Sequence, residues 1–103
     1  MPNSFVTNLY PKPTKGVTDQ TLSITTGTST FSAFNSLTKY IALDVQDVDV
    51  RVTFDGSTPS TSNGHILYAG RSYTFSKAAA EDAIFARKAS SGTAVIHASE
   101  FTD

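Results

Sequence analysis

Three aspartates stand near the middle of this chain: Asp47, Asp49 and Asp55. Carboxylates are the natural ligands of hard cations, and calcium needs several such oxygens converging on one point. Asp47 and Asp49 share a parity, which would put both on one face of a strand. Asp55 falls at the far end of that strand, and the spacing of an EF-hand loop is absent. Solvated face and turn positions account for all three. The two histidines, His65 and His97, are too few for a zinc site in a chain with no cysteine. Serines are plentiful, but no G-x-S-x-G elbow accompanies them. Glu81 and Glu100 could in principle work as acid and base, yet nothing around them in the sequence points to a raised pKa. No phosphate-cradling glycine loop appears. These residues predict no catalytic centre, no metal and no cofactor.

Binding chemistry is more legible. Tyr68 and Tyr73 are candidates for a carbohydrate-binding face, or for closing the edge of a β core. Arg87-Lys88 is a basic doublet, with Arg51 and Lys39 as companions if all lie on one sheet. The net charge is −1, and aromatics do not interleave with the basic residues, so a nucleic-acid surface is not expected. No apolar run is long enough to span a bilayer as a helix. The start, MPNSFVTNLYPKP, lacks the basic and apolar regions of a signal peptide, so export by that route is not expected.

The elements that must position these groups read as strands. Tyr40 to Gly70 carries the longest β pattern. Ile41, Leu43 and Val45 share odd parity; Val48, Val50, Val52 and Phe54 share even parity. A continuous strand cannot exchange its faces, so a tight turn or a bulge is needed at Gln46-Asp47; the turn is favoured, joining antiparallel strands 39–45 and 48–54. Asp55-Gly56 ends the second strand. Ser57 to Gly64 has no large apolar residue and reads as a surface loop. Its candidate contact residues are Asp55, Gly56, Thr58, Pro59, Asn63 and Gly64, with a positive φ favoured at Asn63-Gly64. Alternation within 21–30 suggests one strand before Gly27, and further strands are expected at 65–69, 72–76, 84–88 and 93–101. KAAAEDA, at 77–83, is the one good helix former and is long enough for about a turn. Phe31, Phe34 and Leu37 are spaced for one helical turn, or serve as core anchors in a loop. The 13 serines and 15 threonines suit turns and strands. The predicted fold is all-β, a small antiparallel sandwich or barrel of about seven short strands in residues 21–103.

Residues 1–20 form an expected extended N-terminal arm. Phe5, Val6, Leu9 and Tyr10 make an apolar cluster, and Pro11 and Pro13 keep the following backbone extended. These six residues are the candidate partner-binding set, because a loose apolar segment can dock on a neighbour.

The run RVTFDGSTPSTSNGHILYAGRSYTFS, at Arg51 to Ser76, resembles a recurring pattern in small virion proteins of tailed bacteriophages. An apolar strand leads into Asp55-Gly56, then a Thr/Pro loop, then Gly64, the pair Ile66-Leu67, and Ala69-Gly70. With IFARKASSG and TAVIHASEF after it, the resemblance covers Thr38 to Phe101. It implies a non-enzymatic virion structural protein, foremost a capsid decoration (cement) protein that binds the major capsid protein and stabilises the head. It would be assembled in the host cytoplasm and reside in the virion. Self-association on the particle is implied too, and a trimer on a symmetry axis is compatible with it. A tail, neck or fibre-base component, or a carbohydrate-binding β module, are the alternatives. No catalytic residue is implied.

Overall fold

Alternating apolar and polar residues become strand where one parity can reach a shared core. The structure, a computed structural model, describes residues 12–60, 62–89 and 91–102. It is a small antiparallel β-sandwich. Its strands are β1 (Lys12–Pro13), β2 (Gln20–Ile24), β3 (Thr28–Ser29), β4 (Tyr40–Gln46), β5 (Val50–Thr53), β6 (His65–Leu67), β7 (Ser72–Ser76), β8 (Ile84–Arg87) and β9 (Ala94–Thr102), with one helix, α1 (Lys77–Asp82). In the first sheet β9 pairs with β4 on one side and with both β1 and β2 on the other, and β7 pairs with the far side of β4. The second sheet runs β3-β8-β5-β6.

The two inner faces supply the core. Ile41, Leu43 and Val45 of β4 and Ala94, Ile96 and Ala98 of β9 face Val50 and Val52 of β5, Leu67 of β6 and Phe85 of β8. Across the β4–β9 ladder Leu43 lies opposite the small Ala98, and Val45 opposite Ile96. Phe85 is fully buried, with Phe31 edge-on to its ring at 5.4 Å. Phe31 and Phe34 are core anchors in a loop and not a helical turn, while Leu37 is 71% exposed and anchors nothing.

The parity exchange after β4 has a different origin from the expected hairpin. β4 and β5 do not pair; they belong to different sheets. The Val48 amide donates to the Gln46 carbonyl at 2.9 Å, and Asp47 between them has a φ of 72°. This three-residue turn tips the chain from one layer to the other. Odd residues of β4 and even residues of β5 thereby face the same core. Asp47 and Asp49 consequently sit outside any strand, and they do not share a strand face. The alternating residues before Gly27 form one strand, β2, as expected; after Ile24 the chain leaves the first sheet and enters the second as β3. KAAAEDA folds as α1, capped by the Ser76 hydroxyl accepting from the Ala79 amide. It buries Ala80, with Ala83 just after it, against the end of the sandwich.

The arm boundary also moves. Lys12 pairs with Thr102 and Pro13 with Phe101. The Thr14 amide donates to the Glu100 carbonyl at 3.0 Å. Residues 12 and 13, within the expected arm, are therefore a strand of the first sheet. Pro13 is engaged within its own subunit, where its missing N–H is tolerated at a sheet edge. Phe5, Val6, Leu9, Tyr10 and Pro11 lie outside the described residues.

Candidate functional site

The β5–β6 loop builds the candidate site. Thr53, the buried last residue of β5, donates its hydroxyl to the Ser57 carbonyl at 2.6 Å. The Asp55 carboxylate accepts from the Ser57 hydroxyl at 2.6 Å and from the Ser57 amide at 3.0 Å. These two bonds, the hydroxyl's first, hold the Asp55 carboxyl below its ordinary value. Asn63 closes the loop from the other side. Its side-chain amide donates to the Thr58 carbonyl at 2.9 Å and to the Ser57 hydroxyl at 3.3 Å. Its backbone amide donates to the Ser60 hydroxyl at 3.1 Å, and its carbonyl accepts from the Ser60 amide at 3.0 Å. A short polar run becomes a fixed loop because its own side chains satisfy its backbone.

Gly64 anchors the return to β6. Its φ is 110°, and a Cβ there would stand 2.9 Å from the Val52 carbonyl oxygen. That approach lets the Gly64 carbonyl accept from the Arg51 guanidinium at 2.7 Å. Between loop and strands lies an open depression of about 450 Å³. Its polar wall is Asp55, Ser57 and Asn63; its aromatic wall is Phe54 and His65. Those two rings are 6.1 Å apart, and Phe75 of β7 meets Phe54 edge-on at 5.4 Å.

Of the six loop residues singled out from sequence, Asp55, Asn63 and Gly64 line this groove. Gly56 and Thr58 are exposed beside it, and Pro59 is buried, so it packs under the loop and offers no contact surface. The tyrosines are placed elsewhere. Tyr73 is half-buried and its hydroxyl accepts from the Tyr68 amide at 2.9 Å; Tyr68 is exposed with the Arg71 guanidinium 5.8 Å above its ring. The groove's aromatic surface is Phe54 and His65 instead, which alternation alone assigned to the buried face of a strand and to a strand start.

The other candidate groups serve the fold. Asp49 accepts from the Ala69 amide at 2.7 Å, and its own carbonyl accepts from the Lys88 amide at 2.8 Å. His97 shares a 2.9 Å hydrogen bond with the Thr21 hydroxyl across the β2–β9 ladder. Arg51 and Arg87 lie on the second sheet, whereas Lys39 adjoins the first, so the basic residues do not form one surface. Glu81 is exposed on α1. Glu100 is buried at the inner face of β9, where its Oε1 accepts from the Asn35 amide and the Thr38 hydroxyl, both at 2.8 Å. The sequence held a signal for this: Glu100 shares the parity of Ala94, Ile96 and Ala98. Among the described residues no group of three or more His, Asp or Glu is placed to hold a metal ion, and no helix is long and apolar enough to cross a membrane. Compared with protein-family models, with curated proteins and with solved structures, the chain matches none.

Proposed function

We propose that this chain is a non-catalytic attachment module of a tailed-bacteriophage particle, foremost a capsid decoration protein that binds the major capsid protein through its leading segment. The observation that carries this reading is the anchoring of residues 12–14. Lys12 and Pro13 pair with the end of β9, and Thr14 is buried and hydrogen-bonded to the backbone of Glu100. Phe5, Val6, Leu9 and Tyr10 precede this anchored stretch in the sequence. An apolar segment tethered to a rigid body loses less orientational freedom on docking. Repetition over a symmetric lattice then multiplies a modest affinity. The resemblance of Thr38 to Phe101 to small virion proteins supports the setting.

The test is binding of the purified protein to particles that lack it, measured by co-sedimentation. Removing residues 1–11, or replacing Phe5, Leu9 and Tyr10 together by alanine, should abolish binding while the β circular-dichroism spectrum persists. Undiminished binding would overturn the reading. Electron microscopy of labelled particles distinguishes the head from a tail, neck or fibre-base position.

The groove favours a second reading, a carbohydrate-binding module. Rings at Phe54 and His65 facing Asp55 and Asn63 offer stacking and hydrogen bonding together, as sugars require. Saturable binding on a glycan array, lost in Asn63→Ala and accompanied by no particle binding, would establish it in place of the first.

A further inference from the structure

The geometry points to the free edge of β7 as a self-pairing surface, on which a second copy of this chain docks antiparallel about a two-fold axis through Thr74. This is a property of the fold and does not rest on the particle reading.

Backbone geometry supplies the first part. β7 runs antiparallel to β4, with Tyr73 opposite Leu43, Thr74 opposite Ala42 and Phe75 opposite Ile41. In the same register, the Val45 amide donates to the Arg71 carbonyl and the Lys77 amide to the Lys39 carbonyl. Hydrogen-bonded pairs alternate along an antiparallel ladder, so Tyr73 and Phe75 direct their backbone groups at β4. Ser72, Thr74 and Ser76 direct theirs outward. Among the described residues no strand lies on that side of β7.

Exposed edges normally carry a defence: brevity, a charge, a proline or a bulge. β1 is two residues long and consists of lysine and proline; β3 is also two residues, and β6 three. β7 has five residues, SYTFS, none charged and none proline. β2 is as long, but it would fail to pair with itself: a two-fold axis through Leu22 would set the polar Gln20 against Ile24. Gln20 is in any case tied to the Ser32 backbone by two hydrogen bonds.

The residue order of β7 selects the occupant. SYTFS reads alike in type from either end. Centred on Thr74, antiparallel pairing of two copies sets Thr74 against Thr74, Tyr73 against Phe75, and Ser72 against Ser76. The central threonines would exchange both outward hydrogen bonds and pair their side chains on the exposed face, a favoured cross-strand combination. On the inner side, the half-buried Tyr73 and Phe75 would cover each other beside Phe54. A net charge of −1 per chain opposes the approach only weakly, and the like charges of Arg71 and Lys77, which this register sets opposite each other, fall beyond the ends of the strand. Such an interface is isologous and closes at two copies.

The chain has no cysteine, so Thr74→Cys introduces a single thiol on the proposed axis. Directly opposite residues in a hydrogen-bonded pair lie within disulfide reach. Under mild oxidation Thr74→Cys should form a covalent dimer at least about tenfold faster than Ser23→Cys, an exposed position on β2, because pairing raises the local thiol concentration. Sedimentation equilibrium of the full chain should show a dimer. Thr74→Pro removes only the outward donor, and Thr74→Lys sets like charges on the axis; each should shift the protein to monomer with its spectrum unchanged. Equal cross-linking of Thr74→Cys and Ser23→Cys, or a dimer undiminished in either edge variant, would overturn the inference.

Discussion

The Thr14 hydroxyl donates to the Thr38 hydroxyl at 2.9 Å, and it can do so in one direction only. Thr38 has a single hydroxyl proton, and that proton goes to Glu100 Oε1 at 2.8 Å. Three residues far apart in sequence thus form a directed relay inside the sandwich. It ties the entry of the chain to the loop before β4 and to the end of β9. Thr38→Val keeps the shape and cuts the relay, leaving a buried hydroxyl and a carboxylate each short of a partner. Chemical denaturation should show a loss of about 1–3 kcal/mol. Glu100→Ala should lose at least as much, whereas Glu100→Gln, which retains the accepting oxygen, should lose about 1 kcal/mol or less.

Asp47 is the one non-glycine residue with a positive φ among the described residues. A β-branched side chain tolerates that conformation least. Asp47→Val should destabilise the fold by about 1–3 kcal/mol, and Asp47→Gly should be close to neutral. Thermal unfolding of the two variants side by side checks the contrast.

At Gly64 the obstacle is steric as well as conformational, because a Cβ would press on the Val52 carbonyl. Gly64→Ala should cost about 2 kcal/mol or more and should pull the Arg51 guanidinium away from the residue 64 carbonyl. Denaturation gives the energy; loss of slow exchange at the Arg51 side-chain protons reports the displacement.

Asp55 titrates below its ordinary value of 3.8 because Ser57 donates to it twice. A depressed folded-state pKa contributes stability that is present above the unfolded value and fades as pH falls through the folded one. The window is therefore acidic, below about pH 4. An NMR titration of the Asp55 carboxyl should give a midpoint under 3.8, and Ser57→Ala should raise it by removing the hydroxyl bond, the larger cause. A midpoint unmoved by that substitution would contradict the assignment.

Much of the sandwich was legible from alternation. The inward faces of β4, β5 and β9 follow directly from parity, and α1 sits where the alanine-rich run predicts it. What parity could not convey was which strands pair. A face exchange at Asp47 fits a hairpin and a crossing between layers equally well, because both reverse the sense of the side chains. The loop was legible through its turn chemistry at Asp55-Gly56 and Asn63-Gly64. Its groove was not, since Phe54 and His65 meet only when the loop folds back beside both strands. Pro59 illustrates the same limit: composition alone marks proline as a loop residue, yet here the loop folds over it. The relay from Thr14 to Glu100 spans nearly the whole described chain, beyond any local pattern.

β9 lies in the interior of its sheet, flanked by β4 on one side and by β1 and β2 on the other. On a ribosome, the earlier strands of that layer would emerge with their central neighbour still unmade. Neither β1 nor β2 has any other ladder to join among the described residues. Closure of the layer must therefore wait until β9 itself has been made. Its speed falls in the slow class set by long-range pairing, roughly milliseconds to seconds. During translation the uncovered first strands would be natural clients for holding chaperones.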